Sequence, residues 1–375
     1  MMRWALQNAV GTQREVIGVA AIDNSEVANA VYSANFPLSA PLRRNIEHIT
    51  REQIELDFGA ADVWTASPPC QPYTRRGNGK HGDDPRARSF LHILEMFPKI
   101  RDVCKPKRVL VENVVGFETS ATRDALVDAL SDAYSVREFV GASPARLGVP
   151  NTRERYYLLA KRKELGAFAD AAPRIQPFAA CRHPRPHGLE PVLGGGSRTR
   201  DADAEDFLFP RVEENVEAKN VGAYLRRATV ATEGSDAASL AVPAAAAAKY
   251  WRWFDVVTPS SLGSQCFTAG YGKTVYGGSV LAAEAFANDP EMCEVADAAQ
   301  KRYRLTRPPP KNALRYFAPE EIAALHGLER ASAASGARFA LPDILTRRQL
   351  YFTLGNSISV DVVQELMRYL MEDIG

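Results

Sequence analysis

Four short apolar runs, each ending on a polar or proline-rich turn, constrain this chain more than any other feature. Glu15 to Ile22 (EVIGVAAI) ends on Asp23, and Asp62 to Ser67 runs into Pro68-Pro69. Arg108 to Val111 (RVLV) meets Glu112, and Tyr156 to Ala160 (YYLLA) follows a basic segment. Runs of this length rich in β-branched and aromatic residues read as buried strands. Helical patterning separates them, over Ser25 to Asn35, Ser89 to Ile100 and Ser120 to Ala133. Strands alternating with helices predict an α/β fold: a doubly wound, Rossmann-like, mostly parallel sheet covered on both faces, with its chemistry at the carboxyl ends of the strands.

The chain has 375 residues, enough for one large domain and a smaller one. Hydrophobic residues make up 46% and charged residues 24%, an ordinary globular balance, and no apolar stretch is long enough for a membrane span. The N-terminal MMRWALQNAVGTQREV has no export-signal pattern, so the cytoplasm or nucleus is the expected location. Cys70, Cys104, Cys181, Cys266 and Cys293 are odd in number and form no C-x-x-C pair, which argues against a disulfide framework and a metal cluster. Net charge is +1, but Arg75 to Arg108 holds ten Lys/Arg against four Asp/Glu, and Lys301 to Arg315 six against none. Such stretches are solvated faces or phosphate-binding surfaces.

After about Lys163 the composition shifts to Pro and Gly (RHPRPHGLEPVLGGGSR), then to acidic residues from Asp201 to Glu217 and an alanine run from Ala244 to Ala248. This reads as a loop-rich second domain with insertions. Helical patterning returns from about Leu314, with PEEIAALHGL and a last helix from about Val360 to Met371.

Three features carry chemistry. Ser67-Pro68-Pro69-Cys70-Gln71-Pro72-Tyr73-Thr74-Arg75-Arg76-Gly77 follows a predicted strand, and its three prolines stiffen the backbone around one thiol. A lone cysteine is usually a small core hydrophobe, but this polar, basic setting is wrong for a core. Glu112 ends an apolar strand at the same sheet edge, either as a solvated loop carboxylate or as a partly buried acid able to protonate a ring nitrogen. Arg153 and Arg155, two residues apart in an extended segment, point the same way.

SPPCQPYTRRG, VENVVGFE, GVPNTRERYYLLAKR, SQCFTAGYGKTVYGG and LGNSISVDVV, in this order, resemble the successive motifs of the cytosine-5 methyltransferases. The closest likeness is to the branch that methylates a cytosine in the anticodon loop of aspartate tRNA. The resemblance implies a class I methyltransferase domain from 1–163 and 314–375, a target-recognition domain from 164–313, S-adenosylmethionine as methyl donor and tRNA as partner, with DNA as the alternative substrate. A monomer is expected. The resemblance assigns Cys70, Glu112, Arg153 and Arg155 to catalysis, and Asp23, Ile46, Glu47, Ser67, Asn356 and Ser357 to the cofactor. Asp23 at a strand end suits ribose hydroxyls, and equally a helix cap. Gln71, Thr74, Arg75, Arg76, Asn113, Cys266, Phe267, Thr268 and Lys273 are assigned to the substrate. The family's opening strand and glycine-rich turn have no counterpart before Met1-Met2-Arg3-Trp4. An upstream start and a catalytically impaired RNA-binding homologue are the two explanations.

Overall fold

The computed structural model describes residues 1–11, 14–73, 84–168, 217–226 and 240–372. Its first sheet contains β1 (Val63–Ala66), β2 (Arg108–Val114), β3 (Tyr134–Ala142) and β4 (Arg155–Arg162), in the spatial order β1-β2-β4-β3. β1 and β2 are parallel, while β4 is antiparallel to both β2 and β3. The mostly parallel sheet expected from the sequence is therefore mixed, and the strand holding YYLLA runs against its neighbours. A parallel return requires a long crossover, usually a helix, whereas the β3–β4 connection holds only a 3₁₀ turn, Pro144–Leu147.

Period-two alternation divides the strand residues between two cores. Val109, Val111, Tyr156, Leu158 and Ala160 pack with Phe90, Leu94, Leu126 and Leu130 of the helices Arg88–Met96 and Ala121–Ser131. Leu110, Tyr157 and Leu159 pack instead with Trp4 and Ala5 of the helix Met2–Val10 and with Val363, Leu366 and Leu370 of the helix Val360–Met371. The sheet is thus covered on both faces, as expected.

Glu15 to Ile22 is the exception. It forms no strand, and its only bridge pairs Ile22 with Leu42. Ile17 and Val19 are 76% and 48% exposed. β1 is the edge of the described sheet, and a cleft of about 1630 Å³ is lined by it and by residues 15–22. An apolar run becomes a strand only where its amides and carbonyls meet a ladder, and the cleft removes that partner.

A second sheet contains β5 (Val256–Val257), β6 (Val280–Ala282), β7 (Cys293–Asp297), β8 (Arg302–Leu305) and β9 (Leu314–Arg315), in the order β7-β8-β5-β6-β9. Asp255, at its centre, is buried and receives Arg302 Nε at 2.8 Å. The alanine run is not a loop: it forms the helix Ala244–Tyr250, because alanine loses little on entering a helix. Most of the Pro/Gly and acidic insertion lies outside the described residues. The chain then returns to the first sheet through helices Pro319–Leu325, Leu328–Ala334 and Arg347–Gly355. Among the described residues no helix is long and apolar enough to cross a membrane.

This arrangement separates two substitutions that the sequence alone treats alike. Leu158→Ala empties a fully buried site and is expected to cost about 2–5 kcal/mol. Ile17→Ser changes an exposed side chain and is expected to stay within about 0.5 kcal/mol. Urea denaturation of both variants checks this, and a large loss for Ile17→Ser would place residues 15–22 inside a packed sheet.

Candidate active site

The sheet brings the three chemical features to one edge. β1 and β2 both end there, and antiparallel β4 begins there. Register pairs Glu112 with Tyr157 and Val114 with Arg155, so Glu112 and Arg155 are diagonal neighbours on one face. Their side chains meet, with Arg155 Nε 3.2 Å from Glu112 Oε1. Ser67, the first residue beyond β1, donates a hydrogen bond to the same carboxylate. Burial raises the proton affinity of Glu112 above the usual carboxylate range, against the pull of Arg155 and Arg153. A carboxyl group that holds its proton more tightly is suited to donating it to a ring nitrogen.

Cys70 follows on its proline-rich loop. The Tyr73 amide donates to the Cys70 carbonyl at 3.0 Å, and the buried Tyr73 ring packs edge-on against Phe117 with centroids 4.8 Å apart. Gly116 makes this docking possible. Its φ is +111°, and a Cβ there would lie 2.8 Å from the Tyr73 carbonyl oxygen. Asn113, expected to touch substrate, is buried and donates to the Pro68 carbonyl at 3.4 Å, which ties it to the cysteine loop. Burial pushes the Cys70 thiol above its ordinary value, and Glu112 adds to this, while Arg155 and Arg153 pull in the other direction.

The two arginines divide their work. Arg153 is fully buried and donates to Cys266 Sγ at 3.2 Å, to the Phe267 carbonyl at 3.0 Å, to the Gly355 carbonyl at 3.0 Å and to the Ser357 carbonyl. Arg155 faces Glu112 and also approaches Cys266 Sγ at 3.8 Å. Burial alone would raise the Cys266 thiol, but the two guanidinium groups outweigh it and hold it below the ordinary value. The same pair therefore serves two thiols that shift in opposite directions. Cys266 lies against the arginines, and Phe267 is fully buried against Tyr271 and Phe317. Thr268 and Lys273 are exposed on the loop that follows.

Asp23, Ile46, Ser67, Asn356 and Ser357 line the same large cleft as Cys70, Gln71, Glu112, Arg153 and Arg155. Glu47 is exposed beside Ile46 and does not line it. Asp23 accepts a hydrogen bond from the Ser25 amide at 2.8 Å, and Ser25 itself caps the following helix. The capping alternative thus passes to Ser25. Ser357 Oγ donates to Met1 Sδ at 2.6 Å, so the first residue sits at that end of the cleft. Thr74, Arg75 and Arg76 lie outside the described residues.

Several supporting residues escaped sequence reading. Ser143 Oγ accepts from the Arg153 amide at 3.1 Å, and Asn151 donates to Ser264 Oγ at 3.2 Å and to the Gln265 carbonyl at 3.1 Å. His326 is fully buried beside this group, with neither ring nitrogen hydrogen-bonded, and burial together with Arg153 and Arg155 keeps it neutral. Gly355 allows the helix Arg347–Gly355 to abut the backbone of Thr268 and Ala269, where any Cβ would collide. Isolated polar residues and one glycine carry no periodic signal.

Comparison with known proteins identifies the family. The family description C-5 cytosine-specific DNA methylase matches residues 2–372. The chain belongs to that family. It is 34% identical to a human tRNA (cytosine(38)-C(5))-methyltransferase over 376 residues, covering 94% of this chain and 93% of the relative. It is 31% identical to a Dictyostelium discoideum DNA (cytosine-5)-methyltransferase, covering 99% and 91%. Among solved structures, the S. pombe Dnmt2 methyltransferase superposes with a TM-score of 0.67 at 27% identity, covering 99% of this chain and 94% of that one. In this cytosine-5 methylase family the fold is the Rossmann-like α/β architecture expected from the strand pattern.

The raised Cys70 thiol has a measurable consequence. Only the thiolate alkylates, so the rate of Cys70 modification by iodoacetamide is expected to keep rising about tenfold per pH unit beyond pH 8.5, where an ordinary thiol begins to level off. Removing a cation that favours the thiolate, in Arg155→Ala, moves the profile to still higher pH. A profile levelling below pH 8 would contradict the burial effect.

Proposed function

We propose that this chain transfers a methyl group from S-adenosylmethionine to C5 of a cytosine in the anticodon loop of tRNA, with aspartate tRNA as the expected substrate. The observation that carries the reading is the meeting of Cys70, Glu112 and Arg155 at one strand edge beside a cleft. The names of the tRNA-methylating relatives, which match over most of both chains, support tRNA over DNA. Unpaired loop bases also support it, since a base is withdrawn from a loop at less cost than from a duplex.

The cleft's donors fit the cofactor at its polar ends. Asp23 would hold the ribose hydroxyls, Ile46 would face the adenine, and Asn356 and Ser357 would hold the methionine end. When bound, the cofactor supplies an electrophilic methyl group on sulfur. Cytosine C5 is a poor nucleophile until the ring is made electron-rich. Cys70 Sγ, releasing its proton to solvent as the base arrives, forms a bond to C6. Glu112 donates its proton to N3, so the electron pair displaced by sulfur accumulates at C5, the atom that would receive the methyl group. Arg155 holds Glu112 in place and favours the Cys70 thiolate, and Arg153 fixes the loop behind both. Loss of the C5 proton to solvent, return of the N3 proton to Glu112 and expulsion of the Cys70 thiolate from C6 restore the aromatic ring and free the enzyme.

A second reading, an RNA-binding homologue without transfer, draws on one observation: Glu15 to Ile22 stands outside the sheet, leaving one cleft wall without a strand. Calorimetric titration with S-adenosylmethionine separates the two, since the proposal expects saturable binding. For the reaction, bisulfite sequencing of tRNA and of a DNA duplex after incubation is expected to find a methylated loop cytosine in tRNA only. Cys70→Ala is expected to lower transfer at least about a thousandfold while tRNA affinity stays within about threefold. Methylated DNA beside untouched tRNA, or an active Cys70→Ala protein, would refute the assignment.

A further inference from the structure

Beyond the catalytic cleft, the second sheet displays aromatic rings where a soluble domain normally hides them. Trp253 is 59% exposed, Tyr276 45% and Tyr250 38%. Trp253 follows the helix Ala244–Tyr250, and Tyr276 lies on the loop after Thr268; their rings meet edge to face, with centroids 5.7 Å apart. Two cations are seated among them. Lys249 Nζ lies 5.1 Å from the Tyr250 ring centre, and the Arg252 guanidinium lies 4.8 Å from that of Trp251.

Charge identifies the kind of partner. From Ala244 to Ala283 the charged residues are Lys249, Arg252, Asp255 and Lys273. The single acid, Asp255, is buried and paired with Arg302, so every exposed charge of the segment is positive. Exposed aromatic faces among cations suit unpaired nucleotides, whose bases stack on rings while their phosphates meet the charges. A purely apolar protein partner would not require this uniform sign.

The patch is also tied to the catalytic site. Tyr276 stands on a loop closed by the Thr268 amide donating to the Gly277 carbonyl at 2.7 Å. The base of that loop is held by Arg153 through the Phe267 carbonyl. One loop therefore joins the arginine behind the catalytic cleft to an exposed aromatic ring.

We propose that Trp253 and Tyr276, flanked by Lys249 and Arg252, form a stacking platform for an unpaired nucleotide of the substrate RNA outside the reacting cytosine. This rests on the tRNA reading above and names a second contact for the same RNA. The platform supplies affinity for single-stranded loop structure and takes no part in bond making.

Fluorescence anisotropy with a labelled tRNA transcript, and with a fully paired RNA hairpin of similar length, tests the platform. Trp253→Ala is expected to weaken tRNA binding about tenfold, and Tyr276→Ala by several fold. Trp253→Phe, which keeps a ring, stays within about threefold of the unsubstituted protein. The paired hairpin is affected by none of the three. The salt dependence of tRNA binding is unchanged in Trp253→Ala, because stacking releases no counterions, and becomes shallower in Lys249→Ala/Arg252→Ala. Equal tRNA affinity in the unsubstituted and Trp253→Ala proteins overturns the platform and leaves the tRNA reading standing. Unchanged RNA binding with altered sedimentation in Trp253→Ala assigns the patch to protein association instead. Failure of the unsubstituted chain to bind tRNA removes the RNA reading and the platform with it.

Discussion

Arg153 joins three distant parts of the chain with one guanidinium. It stands just ahead of β4, donates to Cys266 and Phe267 of the segment that leads out of the second sheet, and donates to Gly355 and Ser357 at the C-terminal return. A buried carbonyl left without a donor costs about 1–3 kcal/mol, and this one side chain serves three carbonyls at once. A buried arginine is itself expensive unless its donors are used, so partner and cation are mutually dependent. Because Ser357 lines the cleft and Phe267 begins the loop toward the exposed rings, the same group sets the relative placement of both. Lysine could not replace it, having a single nitrogen where three carbonyls and a sulfur must be reached in a fixed fork.

The electrostatics follow from that placement. Arg153 and Arg155 concentrate positive charge between two thiols, yet only Cys266 becomes more acidic than an ordinary cysteine. Cys266 is held directly against both guanidinium groups, whereas Cys70 is desolvated and also faces the Glu112 carboxyl. Burial therefore outweighs the two cations at Cys70, and the two cations outweigh burial at Cys266.

Much of the site was legible in the sequence because its residues end regular elements. Cys70 follows β1, Glu112 lies near the end of β2, and Arg153 and Arg155 lead into β4, so local apolar patterning located each of them at one edge. The direction of β4 was not legible, since a buried strand reads the same in either sense. The apolar character of Glu15 to Ile22 misled for a related reason: it reports an appetite for burial, while a strand also requires a hydrogen-bonding neighbour. The burial of Phe267 was not legible either, because adjacency in sequence says nothing of which side chain turns inward. Asn151 and Ser264 were unreadable because they meet across more than a hundred residues, Ser143 because its contact with Arg153 depends on how the turn between β3 and β4 folds back, and His326 because its place rests on burial alone.

The account makes Cys70, and not the more acidic Cys266, the atom that bonds to cytosine. Reaction with S-adenosylmethionine and a tRNA carrying 5-fluorocytidine in its anticodon loop halts the cycle before the thiol can leave, because fluorine replaces the proton that must be lost. Peptide mass mapping of the trapped species is the most direct measurement. The RNA adduct is expected on the peptide containing Cys70 and absent in Cys70→Ala. An adduct on Cys266, or methyl transfer from which no adduct can be trapped, would contradict the account.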